Sequence, residues 1–228
     1  MFEGTHGFEQ TIGERVDIDW TRETLEAVTR TDVKAYNSEA HSQSAVEGLL
    51  ELRQAHGFAG SDIARIAVGV FQTAYDIIGG GAYGDRKDVA TKEQADHSLP
   101  DVLAVAALDG EVTPAQYLPA RMRRADVQEL LRTVSVAPVD DDTRHYLQEM
   151  RCRVAVTLKD GRTVEREKRD YAGFNTRPVS WDTAMAKFER LSASFAGTEL
   201  QHDIAATVHD LDTIPVADLM GLLARVGR

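Results

Sequence analysis

A chain of 228 residues, 43% hydrophobic and 28% charged, has enough apolar mass for a sizeable core and is no disordered chain. Its 37 acidic against 26 basic residues give a formal net charge of -11, which argues against a general nucleic-acid binder and against docking on an anionic membrane. The single cysteine, Cys152, excludes an internal disulfide framework and a cysteine-built metal site. The start, MFEGTHGFEQ, shows no signal-peptide pattern, and the apolar runs are shorter than the ~20 residues that span a bilayer. A soluble, cytoplasmic protein is the expectation.

A Gly- and Thr-rich start leads to a short helical stretch around Trp20–Val28, and Asp32–Tyr36 has the composition of a short strand. After the polar segment Asn37–Gln43, Ser44 and Glu47 have the spacing of a capping box. Val46, Leu49 and Leu50 fall on one face of the helix it opens, and Gly57 suits its end. Ile63–Phe71 reads as a buried strand. A loop at Gly79–Gly81 precedes a helix over Ser98–Leu108 and another over Asp126–Thr133. Met150–Leu158 alternates strictly between apolar and polar residues, the mark of a strand with one buried face. Asp160-Gly161 then predicts a two-residue type I′ hairpin turn, and the charged Thr163–Tyr171 returns as a sheet edge. Ser180 is a fair N-cap for a helix over Trp181–Phe195, and Val216–Val226 is a last amphipathic helix. The fold class is therefore α+β, a mixed block between helical ends.

No nucleotide-binding, zinc-protease, nucleophile-elbow or CxxC motif is present, and Gly79–Gly81 lacks the Lys-Ser/Thr of a phosphate loop. His41 and His97 each stand just before a helix, where free N–H groups and the macrodipole favour anions. With Lys34 seven residues before His41, they suit a carboxylate substrate and proton transfer, although a histidine in a polar loop is usually only solvated. Arg121, Arg123 and Arg124 are either a solvated face or a steering patch for an acidic ligand.

Four stretches resemble the MmgE/PrpD family, which includes 2-methylcitrate dehydratases, cis-aconitate decarboxylases and iminodisuccinate epimerases. They are Phe2–Phe8 (FEGTHGF, with Thr5 where Pro is common), Lys34–Val46 (KAYNSEAHSQSAV), Thr91–Pro100 with Ala104–Gly110, and Lys159–Arg162 with Gly173–Pro178 and Lys187-Phe188. The resemblance implies a lid-bearing C-terminal half: a helical lead-in (1–30), an α+β lid domain (31–173) and returning helices (174–228) that complete an all-α domain. It implies a site between the two domains, with Lys34, His41 and His97 catalytic and Ser42, Gln43 and Ser98 binding substrate. In that scheme Lys34 pairs with a substrate carboxylate and His41 moves a proton, with no metal and no cofactor.

The implied activity is dehydration of a small hydroxy-polycarboxylate such as 2-methylcitrate, a step of propionate catabolism, by a split lyase. A second chain would supply the N-terminal helical domain, in a dimer of such pairs. Epimerisation, isomerisation or decarboxylation of a related polycarboxylate stays open, as does a non-catalytic assembly subunit. Asp101 departs from the family, which often has Tyr directly after SLP. Either it points away from the pocket or the substrate differs from 2-methylcitrate, because a carboxylate facing the pocket would repel a polyanion.

Overall fold

The computed structural model describes residues 31–227, together with Thr11, Gly13 and Thr21. The helix expected around Trp20–Val28 and the Phe2–Phe8 segment lie outside the described residues. The fold is α+β, with a four-stranded sheet in the order β2-β1-β3-β4. The strands are β1 (Ile63–Val70), β2 (Val134–Pro138), β3 (Cys152–Leu158) and β4 (Thr163–Lys168). β1 pairs with β2 in parallel, and β1 with β3 and β3 with β4 antiparallel. The parallel pair requires a crossover, which residues 71–133 supply.

The expected alternation on β3 is present: Cys152, Val154, Val156 and Leu158 are buried, and the residues between them are not. Ile66, Val68 and Val70 continue that apolar face on β1, with Val68 opposite Val154. Two helices cover it. Helix α1 (Gln43–His56) crosses β3 and β4, and Val46, Leu49 and Leu52 enter the core. The crossover carries α2 (Lys92–Asp96), α3 (Leu99–Asp109) and α4 (Ala125–Arg132). Every residue of α3 from Leu99 to Ala107 is buried, as expected of a helix apolar on all sides. A short helix α5 (Asp140–His145) joins β2 to β3. Among the described residues no helix is long and apolar enough to cross a membrane.

Three expectations need correction, and one strand had not been expected. Asp32–Tyr36 forms no strand; one backbone bond, Val33 N–H to Gly173 O at 2.8 Å, ties it to the loop after β4. The capping box at Ser44 is not used, because the chain is already turning as a 3₁₀ helix over Ala40–Ser42 and α1 starts at Gln43. Glu47 is drawn into ion pairs instead. The hairpin is real, but only Gly161 is left-handed (φ +92°), with Gly161 N–H bonded to Leu158 O and Leu158 N–H to Arg162 O. That is a three-residue loop with a bulge, not type I′, which needs two positive φ angles. β2 lacked a recognised signal: it is five residues long and ends in Pro138, which only an edge strand tolerates.

Beyond the sheet come α6 (Trp181–Ser192), α7 (Thr198–His209) and α8 (Val216–Leu223). α7 lacks a side-chain N-cap, since Gly197 stands there, which explains why sequence cues passed over it. Ala196, Leu200 and Ile204, with Phe188, Leu219 and Leu222, make a small second core.

Gly173 (φ +111°) sets where the segment before α1 lies. A Cβ there would stand 2.0 Å from the Val33 carbonyl oxygen. Gly173→Ala should cost about 1–3 kcal/mol through the left-handed backbone alone, and more if Val33 cannot yield. Thermal melting should show the loss, and a Tm within a degree of the parent would refute this role for Gly173.

Candidate acid–base site

The segment Lys34–Gln43 is irregular, yet its polar groups are nearly all engaged. Gln43, fully buried, accepts the Tyr36 N–H on Oε1 (2.9 Å) and donates from Nε2 to Tyr36 O (3.1 Å) and Ser38 Oγ (2.9 Å). Ser42 donates to Glu39 O at 2.7 Å, and its Oγ lies 2.6 Å from Ser38 Oγ. Both side chains thus hold the loop in shape. Glu39 N–H bonds Asp96 O (3.0 Å), which docks the loop on the turn before α3. Lys34 folds back over the loop, with Nζ donating to Ser38 O at 2.9 Å.

This clamp sets His41 among aromatic and acidic groups. Its Nε2 lies 2.8 Å from Tyr146 Oη, and its Nδ1 2.9 Å from Glu39 Oε1. The second contact is electrostatic and poorly aligned as a hydrogen bond. The His41 backbone N–H binds the other carboxylate oxygen at 2.7 Å. Phe71 stacks on Tyr146 (centroids 4.3 Å apart, planes at 17°) and meets the His41 ring edge-on at 5.3 Å. Side-chain exposures of 12% for His41 and 14% for Glu39 put the pair in a partly desolvated setting, where charge interactions strengthen. Burial alone would push the Glu39 carboxyl up, but the His41 contacts, with a smaller share from His97, hold it below the ordinary range. Burial first, and Glu39 second, push the Tyr146 phenol up.

His97 stands on the docking turn with Nδ1 2.5 Å from Asp96 Oδ1, its side chain half exposed. Glu39 therefore lies within the electrostatic reach of both histidines. Ser98 is buried and serves as N-cap of α3: its Oγ accepts the Asp101 N–H (3.1 Å) and donates to Arg86 O (2.5 Å). Of the two expectations for Asp101, the structure gives the first, since its side chain points into the core with no exposed surface. Arg121 grips Asp109 (2.6 Å) and Asp126 (3.2 Å), linking α3 to α4; that is structural work, not steering.

Lys34 also lines an open, largely apolar cleft of about 620 Å³ under α6, with Tyr36, Lys187, Phe188, Arg190 and Phe195 among its walls. Burial, then Arg190 and Lys34, hold the Lys187 ammonium below its ordinary range. Lys34, Lys187 and Arg190 against the single carboxylate of Glu47 make the cleft cationic on an acidic chain. Among the described residues no three His, Cys, Asp or Glu side chains are grouped to hold a metal.

Sequence reading missed Glu39, Phe71, Tyr146, Lys187 and Arg190. An acidic residue two positions before a histidine is a usable cue for Glu39. Tyr146, 105 positions from His41, has no local cue.

The fold and this site define an α+β domain that places titratable side chains on one clamped loop. The chain belongs to the MmgE/PrpD family, matching the model of the "MmgE/PrpD C-terminal domain" over residues 36–213. It is 24% identical over 132 residues to mouse (Mus musculus) cis-aconitate decarboxylase, covering 58% of this chain and 27% of that protein. It is 23% identical over 143 residues to the human (Homo sapiens) cis-aconitate decarboxylase, covering 63% of this chain and 30% of that protein. The aligned part spans less than a third of either relative.

Proposed function

We propose that the chain is the lid-bearing part of a lyase acting on a small polycarboxylate, with Lys34, His41 and His97 as its contribution to an acid–base site. The observation that carries this is the Lys34–Gln43 loop, which holds an ammonium and a partly buried imidazole and docks beside a second imidazole. Removal of a proton α to a carboxylate builds negative charge on that carboxylate. A fixed ammonium stabilises that charge most in a site that excludes water. An imidazole protonates a leaving hydroxyl near neutral pH. Lys187 and Arg190 add positive potential beside Lys34 and favour an anionic substrate on an acidic chain.

Dehydration of a 2-methylcitrate-like hydroxy acid is the reading favoured by the acid–base pair. Decarboxylation of a cis-aconitate-like acid is the second reading, favoured by the two relatives' names. Neither scheme requires a metal or another cofactor. A second chain carrying an N-terminal helical domain would complete the site. Supporting this are the family match to a C-terminal domain and the exposed apolar side chains of the last helices and the turn after α6, with Phe195 at 61%, Val216 at 60% and Met220 at 58%.

The test is co-expression with such a helical domain and product analysis on 2-methylcitrate and cis-aconitate. His41→Ala should lower kcat by at least about 100-fold, the usual scale of a lost acid–base group. Full activity in His41→Ala would remove the assigned role.

A further inference from the structure

We propose that Tyr146 is the group that exchanges a proton with the substrate, and that His41 and Glu39 stand behind it as a relay. The inference rests on the acid–base reading above and changes which atom faces the reacting bond. His41 is nearly covered: Nε2 is engaged by Tyr146 Oη at 2.8 Å, and Nδ1 lies 2.9 Å from Glu39 Oε1 in an electrostatic contact. A substrate reaching Nε2 would have to displace the phenol. Tyr146 is partly buried and stands at the end of the chain carboxylate–imidazole–phenol that lies away from Glu39. This is the order of parts seen wherever an acid orients a base that in turn activates a hydroxyl.

Two features show that the phenol is held in place. Phe71 stacks on its ring at 4.3 Å and also meets the His41 ring edge, so one side chain fixes both members. The next residue, Leu147, has φ +78°, the only positive φ of a non-glycine among the described residues, and its side chain is 71% exposed. An exposed leucine in the left-handed region gains nothing from burial and costs strain, a pattern that concentrates at functional positions. The strained turn follows α5 directly and delivers Tyr146 to His41. Desolvation keeps the phenol protonated in the resting protein.

The three residues supply the proton that the leaving hydroxyl takes up. With His41 protonated against the Glu39 carboxylate, Nε2–H donates to Tyr146 Oη and the phenol O–H is directed outward. As a general base on the completing helical domain takes the α-proton and the C–H electron pair forms the double bond, the C–O bond breaks, the phenol proton passes to the departing hydroxyl oxygen and the Nε2 proton passes to Oη. Water leaves, Tyr146 remains a phenol and His41 ends neutral. In the reverse direction Tyr146 takes a proton and His41 becomes charged. Glu39 is a positioning residue throughout.

The test combines ring-nitrogen NMR on the histidine-labelled chain with kinetics of the complex on 2-methylcitrate and cis-aconitate. Tyr146→Phe keeps the ring stacked on Phe71, so the fold should persist, as circular dichroism will check. It should move the His41 Nε2 resonance and leave Nδ1 in place, whereas Glu39→Gln should move Nδ1. In the complex Tyr146→Phe should lower kcat by about 100-fold with KM nearly unchanged, and Glu39→Gln should lower kcat less. Ring nitrogens that ignore both substitutions, or full activity in Tyr146→Phe, overturn the relay. If the parent complex turns over neither acid, the lyase reading fails, and the nitrogen shifts alone decide the relay.

Discussion

Asp101→Asn is expected to stabilise the protein by on the order of 4 kcal/mol at pH 8, less whatever the buried amide itself costs. Asp101 has no exposed surface, and neither carboxylate oxygen has a hydrogen-bond partner among the described residues. Burial pushes its carboxyl up to about 7, only partly opposed by Arg121, which is already committed to Asp109 and Asp126. The folded state therefore holds a proton that the unfolded chain releases near the ordinary carboxylate value of about 3.9. The contribution of Asp101 to stability is full below about pH 4, falls as pH rises to about 7, and is level above that. In Asp101→Asn this slope should vanish, and urea midpoints taken from pH 4 to pH 8 measure it directly. A parent slope that survives the substitution would assign the pH dependence to other groups.

Glu47→Ala should have the opposite sign and a similar size, a loss of about 3–5 kcal/mol, as for other ion pairs broken out of reach of water. Glu47 lies on α1 with its side chain 11% exposed, and it joins three parts of the fold. It accepts from Lys168 on β4 at 2.7 Å, from Arg177, and from the Ala172 N–H at 3.0 Å. Removing the carboxylate leaves the Lys168 ammonium, also 11% exposed, with only Glu51 at 2.6 Å. Burial would push the Glu47 carboxyl up, but Lys168, Arg177 and the Ala172 N–H together hold it below the ordinary range. Its stabilisation is thus present above the unfolded carboxylate value and lost as pH falls through the lower folded one. Chemical denaturation at pH 7 tests the size, and a loss below 1 kcal/mol would show that the network is dispensable.

How far the sequence could be read depended on how local each cause was. The period-two pattern of Cys152–Leu158 is a local consequence of a one-sided sheet, and the structure buries the expected face. The same holds for Ile63–Val70 and for the helix α3. Cues that depend on competition were less secure. Ser44 and Glu47 have capping-box spacing, but Lys168 and Arg177, more than a hundred residues away, claim the carboxylate. At the candidate site, Lys34, His41 and His97 stand out as types in a pattern, and the fold sets His41 against Glu39 with His97 within that carboxylate's electrostatic reach. Ser42, Gln43 and Ser98 share the same motifs, yet their side-chain bonds run to the protein's own backbone. Tyr146 and Phe71 join the site only through sheet and crossover packing, which no short motif records.

In the proposed lyase, the Lys34–Gln43 loop and the His97 turn are expected to meet a small polycarboxylate. The most direct measurement is a titration of the histidine-labelled chain with cis-aconitate, followed by NMR. The His41 and His97 ring signals should shift saturably, the exposed His202 and His209 signals should stay, and Lys34→Ala should weaken the effect. Silent His41 and His97 signals, or shifts of equal size at all four histidines, would contradict it.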